Sequence, residues 1–349
     1  MAASPLTSQQ YAVENATEAI EFCYRLGWTD GLPVVPPTES RVREFLEYAG
    51  REPHDVLGGV PDRRRVITAE KAAINAVMAG CLPAYAPVVF AALQAMSRPA
   101  FCLSGASAST GGSAILTIVS GPVAVELGIN AGGNAFGPGS RANATIGRAL
   151  RLVLLNVCGA TPGTVDRSTL GHPGKYTYCI AEDEGTSPWE PLRVQLGFPA
   201  EVSTVTVMAA EGPHQVSNHV SNEPEGLLLT FADVLRATAF SGGKYVVVIA
   251  PEHLAVLAAG GWSRRRVQEY LAANARRTIA DLKRYGRLPG PIREGDEAEW
   301  RHVVQDPDDL LVVAAGGEAG GFSAIIPPWN GGRTSLPQTQ AVGVCVECD

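Results

Sequence analysis

The feature that most restricts the fold is the alternation of short apolar strands with helices in the second half of the chain. STVTVMAAE, KYVVVIA and DDLLVVAA have the composition of buried strands, whereas EGLLLTFADVLRAT, PEHLAVLAAGG and WSRRRVQEYLAANARR have helical periodicity. Strands that alternate with helices predict a largely parallel or mixed sheet whose faces are covered by helices. The sequence therefore predicts an α/β fold with Gly-rich loops, and ligands, at the ends of strands.

The first half of the chain predicts another lobe, built from helices and small-residue loops. ITAEKAAINAVMAGC and LPAYAPVVFAALQAM predict a helical hairpin, and the strand ILTIV follows the loop SGASASTGGS. The chain has 349 residues, 46% of them hydrophobic, which is enough for two packed lobes. We predict that residues 1–198 form the first lobe and residues 199–349 the second.

Net charge and N-terminal composition limit which binding partners and which cellular compartment the sequence is compatible with. A formal net charge of -7 and a pI near 5.5 argue against nucleic acid and anionic membranes, because both are bound through clustered cations. The sequence has no signal-peptide pattern and no apolar stretch of about 18 residues, so we expect a cytoplasmic protein. Its seven cysteines should then stay reduced. We expect a small-molecule substrate and a homo- or hetero-oligomer.

The chain ends in a Cys-x-x-Cys pair, Cys345 and Cys348, with acidic residues around it. A thioredoxin-like pair begins a helix that lowers the pKa of the first thiol, but no helix can follow here. The neighbouring negative charge raises the thiol pKa unless a cation or metal compensates. We therefore predict catalytic cysteines in a tail that folds back near Arg141, Arg148 or the loop of His214. The plain alternative is a terminus with two exposed thiols.

The loop EGPHQVSNH contains a candidate metal site formed by Glu211, His214 and His219. Two histidines and one carboxylate are sufficient ligands for Zn or Fe(II), with open positions for a substrate. The spacing of the histidines matches no helical metal motif, so histidines that only form hydrogen bonds are the simpler interpretation. We expect no nucleotide cofactor, because the Gly-rich segments form neither a P-loop nor a dinucleotide fingerprint.

A second Gly-rich loop, NAGGNAFGPGSRANATIG, leads directly into a helix predicted from about Ala142 to Val157. Free N–H groups at such a helix start favour an anionic ligand, although the glycines are equally consistent with close backbone packing. A later loop, LGHPGKY, lies near the acids of AEDE in the sequence and offers further polar groups. The candidate substrate-binding residues are Asn134, Arg141, Asn143, Arg148, His172 and Lys175.

Two further residues are candidates for catalysis. Glu182 follows a short predicted strand, where a buried carboxylate can act as a general base. Cys102 lies beside the Gly/Ser loop, whose amides can stabilise a thiolate or an oxyanion. The other cysteines outside the tail are interpreted as packing residues, namely Cys23, Cys81, Cys158 and Cys179.

Several long blocks resemble a large, poorly characterised bacterial family often encoded beside small proteins with a UGSC or CGSC motif, where U is selenocysteine. The blocks are GWTDGLPVVPPTE, RVITAEKAAINAVMAGC, GGNAFGPGSRANATIGRALRLVLLNVCGA, LGHPGKYTYCIAEDEGTSPWEPL and PEHLAVLAAGGWSRRRVQEYL. The resemblance covers about Gly27 to Leu271 and implies thiol or selenol chemistry with a partner protein. The chain departs from it at Phe322, where relatives often have His, and in the Cys-x-x-Cys tail.

Together these features predict an enzyme that acts on a small polar or anionic substrate by thiol chemistry, as a transferase, lyase or reductase. Two alternatives stay open. One is a metal-dependent lyase or hydrolase built on Glu211, His214 and His219. The other is a non-catalytic subunit whose partner protein carries the thiol or selenol.

Overall fold

The computed structural model describes residues 4–240, 242–329 and 334–343. The helices are α1 (Ala16–Arg25), α2 (Glu39–Tyr48), α3 (Ala69–Ala79), α4 (Ala86–Met96), α5 (Leu103–Ala106), α6 (Pro122–Glu126), α7 (Arg141–Asn156), α8 (Leu192–Gln195), α9 (Pro224–Ala237), α10 (Pro251–Ala259), α11 (Arg264–Asn274) and α12 (Ile279–Arg284). The strands are β1 (Val56–Val60), β2 (Arg65–Thr68), β3 (Ala114–Ser120), β4 (Cys179–Ala181), β5 (Thr204–Ala210), β6 (His214–Ser217), β7 (Tyr245–Ile249), β8 (Arg276–Thr278), β9 (Trp300–His302), β10 (Leu310–Ala314), β11 (Phe322–Ile326) and β12 (Gln338–Ala341).

The first four-stranded sheet has the order β12-β5-β3-β4. Strand β3 is parallel to β4 and antiparallel to β5, with Ala114 opposite Ala210 and Ser120 opposite Thr204. Strand β12 pairs antiparallel with the other side of β5. Two of these strands precede the predicted lobe boundary at 198–199 and two follow it, so the hydrogen bonds of this sheet join both sides of that boundary.

The second four-stranded sheet has the order β10-β7-β11-β6. Strand β10 is parallel to β7, whereas β11 is antiparallel to both β7 and β6. The pairs β1 with β2 and β8 with β9 form two small antiparallel sheets at the periphery. The α/β prediction is thus confirmed, with mixed rather than purely parallel sheets.

The two large sheets pack face to face and are covered by helices on their outer faces. Alternate residues of β5 point to opposite sides, so Met208 lies in the core between the sheets and Val207 in the core under the helices. Helices α3, α4 and α7 cover the first sheet, and α9, α10 and α11 cover the second. The layers follow the order helix, sheet, sheet, helix, which explains why the strands are apolar on both faces.

No single helix in the described ranges is long and apolar enough to cross a membrane. The segments Pro83–Met96 and Pro99–Ala106 meet that criterion only as a pair, which is bent by 77°. Most residues of α4, which lies in the first of these segments, are buried in the core beside the first sheet.

Helix α7 approaches the first sheet closely because Gly147 has no side chain. A Cβ placed at Gly147 would lie 2.4 Å from Thr177 Oγ1 and 2.7 Å from the backbone nitrogen of Tyr178. Both residues belong to the segment that enters β4. The side-chain oxygen of Ser140 accepts the N–H of Asn143 and caps the start of this helix, close to the predicted position.

We expect Gly147→Ala to destabilise the protein by about 2 kcal/mol, because the overpacking strain exceeds the helix propensity that alanine adds. Chemical denaturation measures the change. Gly226→Ala in α9 is the matched control, since its Cβ would meet only the Ser221 hydroxyl at 3.2 Å. Equal effects of the two substitutions would contradict the close approach of α7 to the sheet.

Candidate functional site

Four loops meet at the edge of the molecule where β3 begins and β5 ends. The N–H of Thr169 donates to the carbonyl of Thr110 at 2.9 Å, and Trp329 Nε1 donates to Ser109 Oγ at 2.7 Å. These contacts connect loops from distant parts of the sequence. We call this region the lower loop cluster, and it consists of residues 104–113, 161–175, 211–213 and 327–329.

A buried carboxylate lies at the centre of the lower loop cluster. The side chain of Asp166 is 4% exposed and forms ion pairs with Lys175 Nζ at 2.8 Å and Arg151 Nη2 at 3.1 Å. Ser168 Oγ donates to Asp166 at 2.5 Å and accepts a hydrogen bond from Lys175 Nζ at 2.6 Å. Two cations therefore surround one carboxylate, which leaves one surplus positive charge.

The protonation of this cluster follows from burial and hydrogen bonding. Burial alone would raise the pKa of Asp166, but the hydrogen bonds from Lys175 and Ser168 outweigh it and hold that pKa below its ordinary value. Burial lowers the pKa of Lys175, and the Asp166 carboxylate opposes this shift. Asp166 is therefore ionised at neutral pH and keeps its two cationic partners.

Small residues let the loops of the cluster approach each other. A Cβ at Gly112 would lie 3.0 Å from the backbone of Gly171 and 3.2 Å from the Ser168 side chain. Both glycines have φ of +68°, a conformation that favours glycine. A Cβ at Gly171 would in turn meet the aliphatic part of Lys175 at 3.1 Å. The loop beside β3 is thus held directly against the charged centre.

His172 lies in the cluster, but both of its ring nitrogens already have partners. Its Nδ1 accepts the N–H of Gly174 at 3.2 Å, and its Nε2 faces the carbonyl of Ala210 at 3.3 Å. Burial lowers the pKa of His172, which favours the neutral ring with its proton on Nε2. Its observed role is therefore to fix its loop to the end of β5 rather than to offer a free donor to a substrate.

Cys102 is the predicted catalytic residue that adjoins this cluster. It separates a short 3-10 turn from α5 and has a left-handed backbone with φ of +57°. A Cβ placed at Gly105 would lie 3.0 Å from both Cys102 Sγ and the Trp329 ring, so the thiol lies beside the tryptophan that contacts Ser109. Among the cysteines in the described part of the chain, Cys102 alone is half-buried.

The remaining described cysteines are buried in the core. Burial raises the pKa of Cys81 to about 12 and that of Cys158 to about 11, and it also raises the pKa of Cys23 and Cys179. Thiols of this kind remain protonated at neutral pH and pack as small apolar groups. Cys345 and Cys348 lie outside the described residues, so their place and role stay predictions.

Glu182 is buried just after the end of β4, at the opposite end of the strands from the lower loop cluster. Its carboxylate accepts the N–H of Leu192 at 2.9 Å and the hydroxyl of Ser120 at 2.9 Å, and Arg264 Nη2 lies 3.5 Å away. Burial raises the pKa of Glu182, and these partners oppose the shift. The carboxylate therefore anchors surrounding segments, and the general-base role predicted from the sequence stays a prediction.

The residues predicted to form an anion site at the start of α7 form contacts with other segments of the chain. Arg148 makes a bidentate pair with Asp30 at 2.8 Å, and the guanidinium of Arg141 donates to the carbonyl of Gly80. Asn143 exchanges hydrogen bonds with the backbone of Asn130. The helix start thus binds neighbouring segments of the chain, and the substrate contacts predicted for both arginines and for Asn143 stay predictions.

Asn134 also has a local role. It has a left-handed backbone with φ of +60°, and its Nδ2 donates to the carbonyl of Pro138 at 2.7 Å. This turn shapes the Gly-rich loop before α7. The predicted substrate contact of Asn134 stays a prediction, whereas its side-chain amide is observed to hold the loop.

The three predicted metal ligands do not converge. In residues 4–240, 242–329 and 334–343, no three His, Cys, Asp or Glu side chains form a group that could hold a metal. His219 Nδ1 accepts the N–H of Gly321 at 3.3 Å, and its ring packs edge-on against Phe322. His214 is exposed on the edge strand β6, and Glu211 is half-buried, with a pKa raised by burial. Within the described chain, the predicted ligand set is therefore not assembled.

Sequence reasoning missed three of the four side chains at the charged centre. Asp166 and Ser168 lie in GTVDRSTLG, a turn-rich segment that precedes the predicted loop LGHPGKY, and Arg151 lies within α7. The Asp-x-Ser spacing could have indicated that Asp166 and Ser168 contact each other, because Asp166 Oδ1 accepts both the N–H and the hydroxyl of Ser168. The contribution of Arg151 carries no such local signal.

Comparison with known proteins adds no family to this description. The chain matches no protein-family model, no curated protein and no solved structure.

We expect Glu182→Ala to destabilise the fold by about 3 kcal/mol, because it leaves the Arg264 guanidinium buried without its carboxylate. Urea denaturation measures the loss. The control is Glu201→Ala, an exposed acid that should change stability by less than about 0.5 kcal/mol. A Glu182→Ala protein as stable as the control would refute the anchoring role.

The lowered pKa of Asp166 predicts a pH-dependent contribution to stability. Its ion pairs stabilise the fold above the unfolded pKa of about 4, and this contribution is lost as the pH falls through the lower folded pKa. We expect Asp166→Asn to reduce the free energy of unfolding at pH 7 by about 2 kcal/mol, and the difference from wild type to shrink below about pH 4. Thermal melts from pH 2 to 8, with exposed Asp62→Asn as control, test this. A difference that stays constant down to pH 2 would contradict it.

Proposed function

We propose that this chain is an enzyme that binds a small anionic substrate at the lower loop cluster and uses a thiol as its reacting group. The observation that carries the proposal is the surplus positive charge formed by Arg151, Lys175 and Asp166. An anion placed there would complete the charge balance of a partly desolvated site, where Coulomb attraction is stronger than in water.

Both cations of the site remain accessible and retain donors. The side chains of Arg151 and Lys175 are 14% and 18% exposed, respectively. An ammonium has three N–H donors and a guanidinium has five, and the contacts with Asp166 and Ser168 use only part of them. A carboxylate or phosphate can therefore accept from these groups without displacing Asp166.

The loops around the charged centre favour close approach of a ligand. Gly111 and Gly112 present backbone without side chains, and Ser109 supplies a hydroxyl group, whereas the hydroxyl of Ser168 is already bonded to Asp166 and Lys175. Backbone amides in such loops are suitable donors to an oxyanion. This composition supports the recognition of a small polar molecule rather than a large apolar one.

The thiol of the proposal is Cys102 within the described chain, with Cys345 and Cys348 as predicted alternatives outside it. Cys102 combines partial exposure with a position beside Trp329, whose indole nitrogen binds the loop of Ser109. Its chemistry would be nucleophilic, since the thiolate is the reactive form of cysteine. The metal-dependent and the non-catalytic alternatives stay predictions, and no contact among the described residues favours them.

Mercaptoacetate, inorganic phosphate and sulfate are suitable probes, because each is a small anion and the first also carries sulfur. We expect at least one of them to bind the wild-type protein with millimolar affinity or better in calorimetry. Lys175→Met should weaken this binding at least tenfold, because it removes the surplus charge. Bound anion should also slow the alkylation of Cys102 by iodoacetamide, as measured by peptide mass spectrometry.

Lys244→Met is the matched control. Lys244 forms a similar ion pair, with Asp309 at 3.3 Å, but this pair lies outside the lower loop cluster. This variant should bind the anion like the wild type. Absence of binding by all three probes at 10 mM, or equal affinity of the Lys175→Met and wild-type proteins, would overturn the anion site. Unchanged alkylation of Cys102 in the presence of a bound anion would remove that thiol from the mechanism.

A further inference from the structure

A cavity of about 630 Å³ lies between the N-terminal segment and helices α1, α2 and α3, apart from the lower loop cluster. This volume falls within the usual range of small-molecule sites. We call residues 6–13, which cross its mouth, the N-terminal strap. The principal lining residues are Tyr11, Phe22, Trp28, Lys71, Asn75 and Asn156.

Three aromatic rings form one wall of the cavity. The ring of Tyr11 lies 5.0 Å from that of Phe22 and 5.7 Å from that of Trp28, and the latter two are 6.0 Å apart. Tyr11 is 44% exposed, so this wall reaches the solvent at the mouth of the cavity. The rings offer an apolar surface to the body of a ligand, and their mutual packing holds that surface in place.

The N-terminal strap is fixed to the protein core by one carboxylate. Glu70 is 2% exposed, and it accepts the N–H groups of Thr7 and Ser8 as well as the hydroxyl of Thr7, at 2.7 to 3.0 Å. These three donors to one buried group hold the strap against α3. The cavity is therefore formed before any ligand arrives, which reduces the entropic cost of binding.

The charges that line the cavity differ in whether they are already paired. Glu39 binds Arg43 and Gln10, and Glu70 is occupied by the strap. Lys71 is the one basic side chain in the lining, it is exposed, and it forms no ion pair with any residue that the structure describes. Glu70 keeps its negative charge, because its donors are neutral, but it is only 2% exposed. Lys71 is therefore the unpaired charge that a ligand in the cavity can contact.

Two amides lie at the inner end of the cavity. Asn156 Nδ2 donates to Asn75 Oδ1 at 2.7 Å and to the carbonyl of Trp28 at 3.0 Å. Asn75 Nδ2 donates one hydrogen to the carbonyl of Lys71 at 2.9 Å and keeps the other. This remaining donor gives a polar group of the ligand a second partner on the same helix as Lys71.

From these contacts we propose that the cavity binds an amphipathic organic anion, whose apolar body packs on Tyr11, Phe22 and Trp28 and whose carboxylate pairs with Lys71. The body is an aromatic ring or a medium-length acyl chain. This site is independent of the anion site in the lower loop cluster and can be tested separately.

Four ligands of related shape test the proposal by calorimetry: phenylacetate, octanoate, benzyl alcohol and benzylamine. We expect phenylacetate or octanoate to bind the intact protein at least tenfold more tightly than benzyl alcohol, and benzylamine to bind most weakly. The order of the two acids shows whether the body is aromatic or acyl. Lys71→Met should remove the preference for the acid while leaving benzyl alcohol unchanged, because only the charge contact is lost.

Two further variants separate the parts of the site. Tyr11→Ala, at an exposed position, should weaken the binding of the acid and of benzyl alcohol by a similar factor, since it removes part of the apolar wall and no charge. Arg293→Met removes an exposed cation outside the cavity and should bind all four ligands like the wild type. No acid binding at 10 mM, an acid no tighter than benzyl alcohol, or an acid preference that survives in Lys71→Met would each overturn the proposal.

Discussion

The packing of two mixed sheets against each other is the constraint on which the rest of this molecule depends. Residues such as Leu116 and Val248 fill the space between the sheets, and helices cover the outer faces. Strands buried on both faces carry few polar side chains, because burial of a polar group without a partner is costly, so the charged groups of the lower loop cluster lie where strands begin and end. The register of β3 with β5 then decides which loops meet there, because a slip by one residue would exchange the two faces.

Buried acids in this protein serve mainly to join segments that are distant in sequence. Asp30 holds Arg148 of α7, Glu70 holds the N-terminal strap, and Glu182 holds the turn before α8. Each carboxylate accepts hydrogen bonds from donors of the chain, which offset part of the cost of its burial. Burial of an acid is therefore weak evidence for a catalytic base here, and the donors that surround it decide its role.

Local patterns in the sequence predicted the fold class and many of the elements, but not all elements and not the contacts between them. The α/β fold and the start of α7, predicted near Ala142 and observed at Arg141, followed from patterns of residues close in sequence, whereas β6 lies in a segment predicted as a loop. The pairing of β5 with β3, across the predicted lobe boundary, depends on contacts that no local pattern encodes. For the same reason Arg148 looked free for an anion, since its partner Asp30 lies in another part of the chain.

A positively charged side chain in this molecule is a candidate to bind an external anion when the chain leaves it without a full set of acceptors. Arg148 satisfies Asp30 and adjacent carbonyls, so its charge is already balanced. Arg151 and Lys175 share a single carboxylate, and Lys71 has none among the described residues. In an acidic protein, where carboxylates are plentiful, a cation without its own partner at the edge of a cavity or loop cluster retains attraction for an external anion. The two proposed ligand sites rest on this distinction rather than on the number of polar residues in either place.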